Sequence, residues 1–60
     1  MNQMIPNDPI LCLSFANTKL RDYYKSLEQL CEDLQVDKEL LVAKLKEIDY
    51  EYDEVTNQFV

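Results

Sequence analysis

Sixty residues leave room for one small domain, spanning residues 1–60, and a chain this short buries only about 60% of the surface its unfolded form exposes. The 47% hydrophobic fraction is ordinary for a folded protein, whereas six Lys plus Arg against twelve Asp plus Glu give a net charge of −6. That balance speaks against unspecific attraction to nucleic acid or to an anionic membrane, both of which need clustered positive charge.

Other classes fall with it. No uninterrupted apolar run exceeds Ile10-Leu11-Cys12-Leu13, far short of the roughly 18 residues a membrane span needs, so no membrane partner is expected. No secretory leader is visible near Met1, and two cysteines do not make a disulfide framework, so a reduced cytoplasmic protein is the expectation. The chain has no histidine, which removes the usual general base and the commonest metal ligand.

The first helix is predicted over residues 9–24. Asp8 suits the N-cap and Pro9 the first helical position. On a helical wheel Ile10, Leu13, Ala16, Leu20, Tyr23 and Tyr24 share one broad arc, with Cys12 at its edge. The second helix, residues 27–34, is announced by Ser26 with Gln29 three positions on, a capping box in which Gln29 can reach back to the Ser26 backbone. Leu27, Leu30, Cys31 and Leu34 form its apolar stripe, and Glu28, Glu32 and Asp33 face outward. Asp37 caps a third helix over residues 38–48, where Leu41, Leu45 and Ile48 point inward.

From Tyr50 the period changes from helical to alternating, so residues 50–60 read as a β-hairpin. A four-residue loop from Glu54 to Asn57 sets Tyr52 opposite Phe59 and gives Asn57 the left-handed position. With no glycine in the chain, left-handed positions are expected to fall to Asn or Asp. The fold class is thus mainly α, a compact three-helix domain with a small C-terminal β-hairpin in helix-turn-helix-like order. Leu13, Leu20, Leu30, Cys31, Leu34, Leu41, Leu45 and Ile48 are its expected core, with Tyr50, Tyr52 and Phe59 closing one side.

No chemistry stands out. The carboxylates of the second helix lie on a solvated face, where pKa values stay ordinary, so an enzyme is not expected. Two thiols without histidine leave a tetrahedral zinc half-coordinated, so neither metal nor cofactor is expected. Helix, short connection, helix and hairpin have the order of a winged helix-turn-helix, which makes a DNA-binding domain acting with a partner the alternative reading. Against it, the outward face of the third helix carries Glu39, Ala43, Lys46 and Glu47, so nucleic acid is not expected to bind the isolated chain.

Two surfaces remain as candidates. Asn17, Arg21, Tyr24 and Lys25 form the only local excess of cations, where an anionic group would be drawn and where Arg21 could grip it with two prongs. The plainer account is that Arg21 and Lys25 serve the helix dipole, that Arg21 pairs with Asp22 or with a carboxylate of the third helix, and that the Asn17 amide bonds the backbone of a neighbouring element. Leu11 and Phe15, four apart and opposite Leu20, form the second candidate, a patch for self-association unless Met4-Ile5 or the Tyr52/Phe59 face covers it. A protein partner or a homodimer is therefore the expected company.

Ile5-Pro6-Asn7-Asp8-Pro9, Asn17-Thr18-Lys19-Leu20-Arg21-Asp22-Tyr23-Tyr24, Ser26-Leu27, Leu30-Cys31, Tyr50-Glu51-Tyr52-Asp53 and Asn57-Gln58-Phe59 together resemble a family of short bacterial proteins, the domain of unknown function 4250. The resemblance covers nearly the whole chain. It implies a stand-alone cytoplasmic domain and supplies no catalytic residues. Function is then read as a non-enzymatic interaction or regulatory module.

Overall fold

A computed structural model describes residues 6–60. Its elements follow the expected order: α1 (Pro9–Asp22), α2 (Leu27–Leu34), α3 (Lys38–Lys46), β1 (Tyr52–Asp53) and β2 (Gln58–Phe59). Each helix begins where local chemistry says it should. Asp8 takes the Ile10 N–H at 2.8 Å with Pro9 at the first turn, Ser26 takes the Gln29 N–H at 3.1 Å, and Asp37 takes the Glu39 N–H at 2.9 Å. The box at α2 closes one residue earlier than expected, because the Gln29 side chain accepts the Lys25 N–H at 3.1 Å instead of that of Ser26.

The ends are shorter than the apolar pattern suggested. α1 stops at Asp22 with Tyr23 as C-cap, and α3 stops at Lys46. Asp49 then turns left-handed (φ 66°), and the Tyr50 N–H returns to the Leu45 carbonyl at 3.0 Å, so Ile48 and Tyr50 belong to a turn rather than to a helix and a strand. α2 closes in the same way. Gln35 is left-handed (φ 57°) and the Val36 N–H reaches the Cys31 carbonyl at 2.8 Å, although the expectation gave such positions to Asn or Asp.

The hairpin has the expected register. Tyr52 faces Phe59 and Asp53 faces Gln58 in an antiparallel pair, and Asn57 is left-handed (φ 57°) at the end of the loop. Asp53 steadies the loop by taking the Val55 N–H at 3.0 Å and the Thr56 hydroxyl at 3.2 Å. Glu51 and Val60 exchange backbone hydrogen bonds at 2.9 and 2.8 Å, which extends the ladder beyond the strands proper.

Cys12, Ala16, Leu20, Leu27, Leu30, Cys31, Leu41, Leu45 and Phe59 are buried together, with Leu13, Leu34, Ile48 and Tyr52 half-buried around them. Here the expectation needs correcting. Cys12 lies at the centre rather than the edge, Ile10 and Tyr23 point outward, and Tyr50 is exposed. Leu13, Leu34 and Ile48 sit at the rim. The reason is that α1 is apolar nearly all round, so its pattern cannot choose a face. The packing of β2 and α3 against α1 chooses it, and Cys12, Ala16 and Leu20 are the residues it buries.

Candidate functional site

Asn17 sits where the core face of α1 meets β2. Because Glu51 and Val60 form the hydrogen-bonded pair, the N–H and C=O of Phe59 point away from β1. The Asn17 amide meets both. Its Oδ1 accepts the Phe59 N–H at 2.7 Å, and its Nδ2 donates to the Phe59 carbonyl at 3.1 Å. One side chain thus stands in for a third strand.

Further amides extend this seam. Gln58 Nε2 donates to the Asn17 carbonyl at 3.0 Å. Asn57 Nδ2 donates to the Leu20 and Tyr24 carbonyls at 3.0 and 2.9 Å, capping the end of α1, and its Oδ1 takes the Tyr52 hydroxyl proton. The Tyr52 oxygen in turn accepts the Leu27 N–H at 3.3 Å, which ties the start of α2 to the hairpin. No buried side-chain polar atom among the described residues lacks a partner.

The rest of the first candidate surface is engaged nearby, without converging. Arg21 lays its fork on Asp22 with contacts of 2.9 and 3.0 Å, both side chains exposed, and that hydrogen bond holds the Asp22 carboxyl below its usual range. Tyr24 donates its hydroxyl to Asp33 at 2.5 Å, which pushes the phenol pKa up. With Gln29, Glu32, Asp33 and Gln35 it lines an open cleft of about 610 Å³ whose charged groups are acids. The Lys25 ammonium makes no ion pair among the described residues. Asn17 faces inward to Phe59, so the structure does not bring Asn17, Arg21, Tyr24 and Lys25 to one ligand.

The second candidate is larger than the sequence suggested. Leu11 is 59% exposed and Phe15 half-buried. Lys19 lies over the Phe15 ring at 5.6 Å and over the Tyr23 ring at 4.9 Å, and Tyr23 itself is 70% exposed. Leu11, Phe15, Lys19 and Tyr23 therefore make one ridge at four-residue spacing along the outside of α1. Tyr23 was expected to face the core, yet the spacing that joins it to Leu11 is plain in the sequence. The Tyr52/Phe59 face does not cover this ridge, since Phe59 is buried and Tyr52 turns to it with ring centroids 5.5 Å apart. Met4 and Ile5 lie outside the described residues.

The cations of α3 are also engaged. Lys38 pairs with Glu28 at 2.7 Å, Lys46 with Glu51, and Lys44 donates to the Asn7 carbonyl at 3.1 Å. Among the described residues no cluster could hold a metal ion, and no helix is long and apolar enough to cross a membrane.

A family model described as a domain of unknown function, DUF4250, matches residues 6–59. The chain belongs to that family. No curated protein and no solved structure matches it. In this DUF4250 chain the strings that carried the resemblance meet in space, Asn17 bonding Phe59 while Asn57 bonds Leu20 and Tyr24. Those residues hold the DUF4250 fold together.

The two thiols of this DUF4250 domain, Cys12 and Cys31, are both buried, and burial pushes both pKa values up against the opposing pull of Lys44 and Lys38 respectively. A raised pKa leaves less thiolate at any given pH, so neither thiol should react readily in the folded state. Alkylation at pH 8 is expected to run at least about a hundredfold slower than in denaturant, accelerating as unfolding is approached. Immediate labelling of the native domain would contradict their placement in the core.

Proposed function

We propose that this DUF4250 domain is a non-enzymatic protein-interaction module that docks through the outer face of α1. The observation that carries it is the ridge Leu11, Phe15, Lys19, Tyr23, in which Leu11 and Tyr23 are open to solvent and a half-buried Phe15 lies beside one cation. Aromatic rings are a chemistry that protein interfaces favour, and covering the exposed part of Leu11 would contribute about 1–2 kcal/mol. Charge supports the same face. Between Asp8 and Asp22 the chain carries no acid, although twelve are distributed over the molecule.

The winged helix-turn-helix alternative draws less support. Lys38, Lys44 and Lys46, the residues that would meet phosphates, each hold a partner within the chain.

The test is site-specific photocrosslinking in the native cell, with a benzoylphenyl side chain placed at residue 11 or, as control, at residue 55, where Val55 is 92% exposed in the hairpin loop. A discrete protein adduct is expected from position 11 and none from position 55. Equal labelling from both, or no adduct from position 11, would remove the reading.

A further inference from the structure

We infer that the free edge of β1 is a docking site for an extended, cationic peptide segment of another protein, which adds to the hairpin as a third strand. The site is separate from the α1 face and stands whether or not that face is used. The two edges of the hairpin differ. Because Glu51 and Val60 form the hydrogen-bonded pair, the backbone groups of Phe59 and of Tyr52 point off opposite sides of the sheet. On the Phe59 side the Asn17 amide meets both groups. On the Tyr52 side, the Tyr52 N–H, the Tyr52 C=O and the Tyr50 C=O form no hydrogen bond among the described residues. Unpaired backbone of this kind is left to water, and its complement is another extended backbone offering C=O and N–H at the same spacing.

Charge names the kind of strand. From Lys46 to the loop the chain carries Glu47, Asp49, Glu51, Asp53 and Glu54, and Lys46, paired with Glu51, is the one cation of that stretch. A second copy of this chain would bring the same acids, since β1 beside β1 sets Glu51 and Asp53 near their own counterparts, and like charges oppose that pairing. The edge is thus guarded against self-pairing and open to a segment of opposite sign.

Side-chain alternation resolves the chemistry further. Tyr52 turns to Phe59 on one face of the hairpin, and its neighbours Glu51 and Asp53 take the other. The matching segment alternates in the same way, with Lys or Arg beside Glu51 and Asp53 and an apolar residue beside Tyr52. The strand ends at Asp53, so residue 55 lies beyond the pairing and still serves as the photocrosslinking control.

Amide NMR of the full chain, titrated with a capped peptide of about six alternating lysine and valine residues, tests the site. The Tyr52 amide is expected to shift with half-saturation at about 0.1–1 mM, and its hydrogen exchange to slow at least about fivefold at saturation. The same peptide N-methylated at every residue keeps the charge and loses the donors, so it should bind at least about tenfold more weakly. Glu51→Gln removes an acid and releases Lys46 beside the edge, while the exposed pair it breaks matters little to folding, so it should weaken the peptide at least about threefold. A glutamate–valine peptide should leave Tyr52 unmoved.

No shift at Tyr52 by about 5 mM lysine–valine peptide overturns the proposal. Equal binding of the N-methylated peptide does the same, as does a shift map centred on the acids of α2, because either reduces the effect to general attraction between opposite charges. Equal binding of the glutamate–valine peptide, or by Glu51→Gln, overturns the cationic character assigned to the segment.

Discussion

Asn17→Ala is expected to lower the melting temperature by about 10–20 °C. The substitution strands the N–H and C=O of Phe59 together at a part-buried site, because the amide serves both at 2.7 and 3.1 Å. Two lost hydrogen bonds with incomplete hydration cost about 2–3 kcal/mol, and in a domain this size each 1 kcal/mol moves the midpoint by about 4–8 °C. Asn17→Asp sharpens the test. A carboxylate still accepts the Phe59 N–H but faces the Phe59 carbonyl with no proton to offer, so it should cost at least as much as alanine. Amide exchange at Phe59 should accelerate in both variants before the helices loosen. A melt within about 2 °C of wild type for both would mean that Asn17 is not the brace described here.

Phe59→Ala should cost more, about 3–5 kcal/mol, and lower the melting temperature further than Asn17→Ala does. Phe59 is the largest fully buried side chain, 2% exposed, and it belongs to a strand of two residues. Sixty residues give a total stability of about 3–9 kcal/mol, so this one deletion takes most of the margin. Val60→Ala is the control. Val60 is 62% exposed and contributes to the ladder through its backbone, which alanine retains, so its melt should stay close to wild type. Circular dichroism melts of the two variants side by side check the expectation. Comparable losses would show that the hairpin's backbone, rather than the Phe59 ring, secures the core.

Much of the fold was legible because it is decided locally. Asp8, Ser26 and Asp37 cap their helices through contacts two or three residues away. The hairpin register followed from loop length and from the tolerance of Asn57 for a left-handed backbone, and both are matters of adjacent residues. The buried face of α1 was not legible. Ile10, Leu11, Leu13 and Phe15 ring that helix, and only the packing of elements later in the chain, α3 and β2 among them, selects Cys12, Ala16 and Leu20 for the core. Asn17 falls between the two cases. An amide within an apolar arc announces that a backbone partner exists, but nothing local says that the partner is Phe59. The outward ridge shared this difficulty, since Tyr23 could be assigned to it only once the inner face was known.

The three left-handed turns bear on the chain when it is not folded. Gln35, Asp49 and Asn57 adopt that geometry without glycine, at a local cost of about 1–2 kcal/mol each. A glycine there would relieve the strain, yet it would also give the denatured chain more conformations to lose, a penalty of about 0.4–1 kcal/mol per position. The second term offsets about half of the first. A chain with no glycine has an unusually stiff disordered ensemble, so part of what favours the native domain is the restricted freedom of the state it leaves. For a core this small, that contribution from the unfolded side is comparable to one well-packed side chain.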